Sequence, residues 1–146
     1  MRKAFIDTNI LMDFLLPERE HYYSAAILFD MARGHKIELF LSTQSILDAY
    51  YSASKLSKDR DRIRHALDEI TRFVNIVSIH VFGVAKALKA GVHDVEDLAQ
   101  AATADSEYCQ MIITNDKDFP DYPEEYPIPH MSSKTFVDTC RRVEAS

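Results

Sequence analysis

Two short apolar runs in this chain end directly in acids. Phe5-Ile6 empties into Asp7-Thr8-Asn9, and Met111-Ile112-Ile113 empties into Thr114-Asn115-Asp116-Lys117-Asp118. A third stretch, Asp94-Val95-Glu96-Asp97, opens an alanine-rich segment, and Asp48 sits in a polar stripe of its own. Three or four carboxylates gathered within about 5 Å in a partly dry site repel strongly, so such a cluster implies a bound cation. Oxygen ligands with no paired His or Cys point to Mg²⁺ or Mn²⁺, one ion or two. Such ions orient a water and stabilise in-line displacement at phosphorus. Metal-assisted phosphoryl chemistry on Asp7, Asp97 and Asp116, joined by Asp48 if its helix crosses the same edge, is the leading reading of the residues.

Each acid also has a plainer account. Asp and Asn cap helices, so Thr8 or Asn9 can cap a helix through Ile10-Leu11-Met12. Asp94 is well placed as an N-cap, with Glu96 and Asp97 in a first turn whose dipole favours negative charge. Asp48 alone reads as a solvated helix face. Two strands that both empty into acids are harder to assign to caps.

The elements that must position these groups follow from periodicity. Apolar runs before Asp7, over Lys36–Leu41, Asn75–Ile79 and Gln110–Ile113 read as strands, and Ile128 as a brief fifth. Helical spacing fills the gaps: His21–Arg33 with a C-cap at Gly34, a helix from Ser42 or Thr43 to about Lys55, and Ile63, Leu67, Ile70 and Val74 after Ser57 or Asp59. His80–Ala90 closes at Gly91, and Ser132 or Ser133 caps a last helix. In the second of these, Ile46, Leu47, Tyr50 and Ser54 read as the inward face, with Gln44, Ser45, Asp48, Ser52 and Lys55 outside. Mixed charge after Ser57 reads as solvated surface. A phosphate-contacting role for Lys55, Lys58 and Arg62 stays open beside it. Pro120–Pro129, rich in proline, tyrosine and acids, shows no period.

Strands alternating with helices give a three-layer α/β/α fold with a mainly parallel sheet of four to five strands, whose carboxyl edge collects ligands. The 146 residues suit one domain, 1–146, without an internal repeat. No apolar run approaches the roughly 20 residues that span a bilayer, and the N-terminus does not read as a signal peptide. Cys109 and Cys140, both placed in helices, read as buried free thiols in a reducing compartment, and the cytoplasm is the expected location. The formal net charge of −6 lacks the plain electrostatic footprint of a nucleic-acid binder, an objection that a bound cation weakens. With only three glycines there is no P-loop, no G-x-G-x-x-G and no G-x-S-x-G.

Three stretches then carry a resemblance. Phe5-Ile6-Asp7-Thr8-Asn9-Ile10-Leu11, Glu96-Asp97-Leu98-Ala99-Gln100-Ala101-Ala102-Thr103-Ala104 and Ile112-Ile113-Thr114-Asn115-Asp116-Lys117-Asp118-Phe119 resemble, in that order, the motifs of PIN-domain ribonucleases. Within that family the chain is similar to the toxins of VapC-type toxin–antitoxin pairs, over essentially its whole length. The resemblance implies Mg²⁺- or Mn²⁺-dependent cleavage of RNA, a homodimer, and a small antitoxin protein that blocks the site. By position, Asp7, Asp97 and Asp116 match the metal-binding acids, and Asn9 and Thr114 the polar groups that support them. Where the family has Glu on its second helix this chain has Asp48, a shorter arm expected to reach a metal through water. The last motif offers Asp116 and Asp118, of which Asp116 lies nearer the strand end. Asp94 is expected as a cap more than as a ligand. Asp7→Asn is expected to abolish cleavage and leave the fold intact.

Two rivals remain. A PIN-like domain that binds RNA or protein without cutting would fit a weak acid at Asp48. An aspartate-nucleophile phosphatase also puts Asp at the end of a first strand, but needs a second Asp two residues on, where this chain has Asn9.

Overall fold

The edge that collects the acids is built by five parallel strands. The structure, a computed structural model, describes residues 1–120 and 128–145. Its strands are β1 (Arg2–Ile6), β2 (Ile37–Ser42), β3 (Asn75–Val77), β4 (Met111–Ile113) and β5 (His130–Met131), in the order β3-β2-β1-β4-β5. Each neighbouring pair is parallel. The helices are α1 (Thr8–Leu15), α2 (Tyr22–Arg33), α3 (Thr43–Ser57), α4 (Arg60–Ile70), α5 (Val81–Ala90), α6 (Val95–Ser106) and α7 (Ser133–Ala145).

Strand side chains alternate between faces, and the two faces carry separate cores. Ala4, Ile6, Leu39, Leu41 and Ile113 pack with Ile10, Leu28, Ala49, Ile63 and Phe136, from α1, α2, α3, α4 and α7. Phe5, Phe40 and Ile112 pack on the other face with Ala87 of α5 and Leu98, Ala101 and Ala104 of α6. This is the three-layer α/β/α arrangement expected from the sequence. The alanines of α6 let α5 come close: a Cβ on Gly83 would stand 3.1 Å from that of Ala102.

β1 lies at the centre, and the chain order reverses beside it. From β1 the chain builds outward through β2 and β3, then crosses back to place β4 on the other side. Such a reversal opens a crevice at the carboxyl ends of the two strands, the usual ligand position in an open α/β sheet. The register sets Ile6 beside Ile113, so Asp7 and Thr114 emerge side by side.

Several local expectations need correction. The cap of α1 is Asp7 itself, whose Oδ1 accepts the Thr8 N–H, and not Thr8 or Asn9. The buried face of α3 is Ser45, Ala49 and Ala53, with Leu47 69% exposed. Small residues win because α3 packs closely on α1, where Ser45 Oγ meets Thr8 Oγ1 at 2.6 Å. Gly34 is the C-cap of α2, as expected, but with negative φ, and the left-handed residue is His35. β5 forms at His130–Met131, two residues beyond Ile128, where the register opposite Ile112 and Ile113 begins. Cys140 lies in α7, but Cys109 lies in the turn between α6 and β4; both are buried free thiols. Most of the Pro120–Pro129 connection, residues 121–127, lies outside the described residues.

Candidate active site

Asp7 is buried, 7% exposed, and its carboxylate accepts four hydrogen bonds. Oδ1 takes the Thr8 N–H (2.8 Å) and the Gln100 side-chain amide (3.2 Å). Oδ2 takes the Asn9 side-chain amide and the Thr114 hydroxyl, each at 2.9 Å. β1, α1, α6 and the end of β4 thus meet on one side chain. Its local geometry comes from the sheet: the Asp7 N–H extends the ladder to the Ile113 carbonyl (3.0 Å), and extended backbone at Asp7 turns into α1.

Thr114 and Asn9 lock the two strand ends together. The Thr114 hydroxyl donates to Asp7 and accepts from Asn9 Nδ2 (3.1 Å) and from the Asp116 N–H (3.1 Å). Asn9 Oδ1 accepts the Asn115 N–H at 3.0 Å. The turn carrying Asp116 is therefore fixed by the residues that fix Asp7. Asp116 itself is exposed, and its Oδ1 accepts the Asp118 N–H (2.9 Å). Asp118 is exposed as well.

The remaining acids meet through their fields. Asp97, half-buried at the start of α6, has its carboxyl pushed up to about 7. Burial is the largest cause, followed by the charges of Asp7, Asp94, Glu96 and Asp116. Glu96 is also raised, by burial first and then by Asp7 and Asp48. Asp48, exposed on α3, is thus near enough for its charge to act on Glu96. Asp94 occupies the N-cap position of α6 without a side-chain capping bond.

A second buried network braces the first. Asp13, 3% exposed on α1, accepts Arg19 Nε (2.8 Å) and the Asn115 amide (2.7 Å). Asn115 Oδ1 in turn accepts the Ser133 N–H (3.0 Å), tying the start of α7 to the Asp116 turn.

Sequence reasoning missed Glu96, Gln100, Ser45, Asp13 and Asn115. Two of these left a signal: Gln100 lies one turn after Asp97, and Asp13 one turn after Asn9, on shared helix faces. Ser45 and Asn115 left none, because their partners are remote in sequence.

The donor set is hard oxygen throughout, and Asp97 is pushed up by burial first and then by the neighbouring acids, two costs that a bound cation would offset. Among the described residues, no three acids, histidines or cysteines are spaced as a ready-made metal cage. Mg²⁺ does not require one, since it commonly keeps several waters and takes one or two protein carboxylates. The residues present fit a divalent cation of that kind.

The family model for the PIN domain matches residues 3–118 of this chain. The chain belongs to the PIN-domain family. "Ribonuclease VapC1" of Aquifex aeolicus (strain VF5) is 31% identical over 125 residues, covering 80% of this chain and 83% of that protein. Among solved structures, Mycobacterium tuberculosis VapC20, described as a sarcin–ricin loop cleaving toxin, superposes with a TM-score of 0.64 at 14% identity, covering 80% of this chain and 92% of that one. VapBC2 from Rickettsia felis, bound to a DNA fragment from its promoter, gives 0.61 at 20% identity, covering 89% and 99%. Those likenesses place the PIN fold in VapC proteins. Among the described residues, no helix of this PIN domain is long and apolar enough to cross a membrane.

Proposed function

We propose that this chain is a Mg²⁺- or Mn²⁺-dependent endoribonuclease, the toxin of a toxin–antitoxin pair, acting in the cytoplasm as a homodimer. The observation that supports the reading is that Asp7 and the Thr114–Asp116 turn emerge side by side at the reversal of strand order, near enough to Asp97 for the charges of Asp7 and Asp116 to raise it. The 31% identical VapC1 ribonuclease supports RNA as the substrate. The VapBC complex among the fold's likenesses supports an antitoxin partner.

Asp7, Asp97 and Asp116 would hold the cation, with Asp48 contributing through water. When bound, such an ion supplies Lewis-acid stabilisation of a phosphoryl group. The protein's part is placement. Thr8, Asn9, Gln100 and Thr114 hold Asp7 in one orientation, and the Asn9–Asn115 bond holds the Asp116 turn at a fixed distance from it. Exposed Val81, Phe82 (77%) and Leu88 on α5 offer apolar surface of the kind that protein partners cover.

The same geometry disfavours the phosphatase. Asn9 donates to Asp7 and cannot relay its protons, and a carboxylate with four donors is a poor nucleophile. A non-cutting PIN-like module draws support from the short arm of Asp48 and from the missing ready-made cage among the described residues. One experiment separates it from the nuclease: labelled single-stranded RNA incubated with Mn²⁺, with EDTA, and with Asp116→Asn or Asp97→Asn protein. Cleavage should need the ion and both acids. Equal cutting by wild type and Asp116→Asn would overturn the reading.

A further inference from the structure

Asp48, Tyr51 and Lys55 stand on one stripe of α3, at spacings of three and seven residues. At one end Asp48 lies one turn after Ser45, whose hydroxyl meets Thr8 Oγ1 at 2.6 Å beside Asp7. At the other end, about 10 Å along the axis at the ordinary helical rise, Lys55 enters an open cleft of about 900 Å³ at the α3–α4 corner. Lys58 and Arg60 line that cleft. We propose that this stripe and cleft are the track for a single-stranded RNA leaving the acidic site, its phosphates on Lys55, Lys58 and Arg60 and a base stacked on Tyr51. The inference rests on the ribonuclease reading and names how that site would grip its substrate.

Three observations carry it. Lys55, Lys58 and Arg60 outnumber the cleft's two acids, of which Asp59 Oδ1 accepts the Arg62 N–H and Asp61 pairs with Arg64. Lys58 and Arg60 make no ion pair among the described residues, so their charge faces solvent. Arg62, open as a phosphate contact in the sequence, is instead committed to the Leu15 carbonyl (3.0 Å).

Tyr51 is 62% exposed, and the Lys55 ammonium lies 4.2 Å from its ring centroid. The ammonium lies over the ring, and exposed aromatic rings with cation–π contacts are what sequence-tolerant single-strand binders use. An acidic peptide would use the cations but leaves the ring unexplained.

Lys58 also ends α3 in the left-handed region, φ 60°, its N–H closing on the Ser54 carbonyl. Glycine occupies that C-terminal position with less strain, as Gly91 does after α5. A lysine kept in a glycine-favouring conformation points to a use for its side chain. Lys58→Gly therefore separates the two roles: it should preserve or raise stability while weakening RNA binding.

The test is fluorescence anisotropy of a labelled twelve-nucleotide oligouridylate in EDTA, where cleavage plays no part. Wild type, Lys58→Gly, Arg60→Gln, the double variant, Tyr51→Ala and Tyr51→Phe are compared across salt, with melting temperatures alongside. The double variant should lower the slope of log affinity against log salt by roughly 1.4, about 0.7 per phosphate contact. Tyr51→Ala should weaken binding about tenfold and Tyr51→Phe should not, since the ring is retained. Unchanged slopes, or tighter binding of polyglutamate than of the RNA, would overturn the track. Binding through these residues by a chain that cuts no RNA supports the track and removes the nuclease reading. Cutting by a chain whose double variant binds as wild type removes the track alone.

Discussion

Gln100 donates its side-chain amide to Oδ1 of Asp7 at 3.2 Å, from 93 residues away in sequence. Its own carbonyl oxygen is buried and accepts nothing among the described residues. Reversing the amide would set that oxygen against the carboxylate, so the Asp7 charge dictates the orientation. An orphan buried acceptor costs stability, and here it accompanies a bond that fixes a proposed metal ligand. Gln100 thus belongs to the site, not simply to the packing of α6.

Gln100→Leu should therefore leave stability within about 1 kcal/mol, because losing the bond to Asp7 and losing the orphan oxygen act in opposite directions. RNA cleavage should nevertheless fall, since Asp7 keeps three donors but loses the one that reaches it from α6. Gln100→Glu should instead be destabilising at neutral pH and less so in acid, as two carboxylates would meet at hydrogen-bond distance. Melting curves and cleavage rates on the two variants check this; a destabilised Gln100→Leu with unaltered turnover would contradict it.

For Asp7→Asn, expected from the sequence to leave the fold intact, the donors around the carboxylate add a stability cost. An asparagine there would turn an NH₂ toward donors that now find a carboxylate oxygen, so a loss of about 1–3 kcal/mol is expected. Asp116 is exposed, and Asp116→Asn should change stability by less than about 0.5 kcal/mol while abolishing cleavage. Denaturant unfolding of both variants decides between these costs. Activity lost by Asp7→Asn alone would signal misfolding and not chemistry.

The parts of this molecule that were legible in the sequence are those with a period or a strand end. Phe5, Phe40 and Ile112 against Ala4, Leu39 and Ile113 follow from alternation, and Asp7 and Thr114 follow from where apolar runs stop. The inward face of α3 was misread because hydrophobicity favours Leu47, whereas close approach to α1 favours Ser45, Ala49 and Ala53. Gln100 and Asp13 share helix faces with Asp97 and Asn9, but the partners they reach, and those of Asn115, lie in distant segments that periodicity does not pair.

Asp97 gives the metal-free protein a definite pH dependence. Its folded value, about 7, lies above its ordinary 3.8, so the folded state holds its proton more tightly than the unfolded chain does. The stability cost of ionising it grows as pH rises from about 4 to about 7 and is complete above that. In EDTA, Asp97→Asn should melt higher than wild type at pH 8, with the gap narrowing toward pH 4. A gap independent of pH would mean that neither burial nor its neighbours hold Asp97 up.

Burial pushes the Cys109 thiol up to about 12, outweighing the opposing charge of Lys3. The thiolate that reacts with disulfide reagents is then scarce at neutral pH. Native protein should leave Cys109 unlabelled by a thiol reagent at pH 7.5 and label it on denaturation, as mass spectrometry of the peptide would show. Fast labelling of the folded protein would show that the turn between α6 and β4 opens.

Divalent cations should stabilise this fold specifically. Asp7, Asp94, Glu96 and Asp116 all raise Asp97, so an ion among them removes a repulsion that the folded chain alone must bear. To that is added the linkage free energy of binding, about 2.7 kcal/mol at a hundredfold excess over the dissociation constant. Melting temperature should rise with Mn²⁺ or Mg²⁺ and much less with NaCl at matched ionic strength. Asp97→Asn should blunt the rise, because it removes both a ligand and the repulsion that the ion relieves. Were these acids helix caps only, Asp97→Asn would be mildly destabilising and Mn²⁺ would act like any salt. That result would remove the metal from Asp7, Asp97 and Asp116, and the proposed cleavage with it.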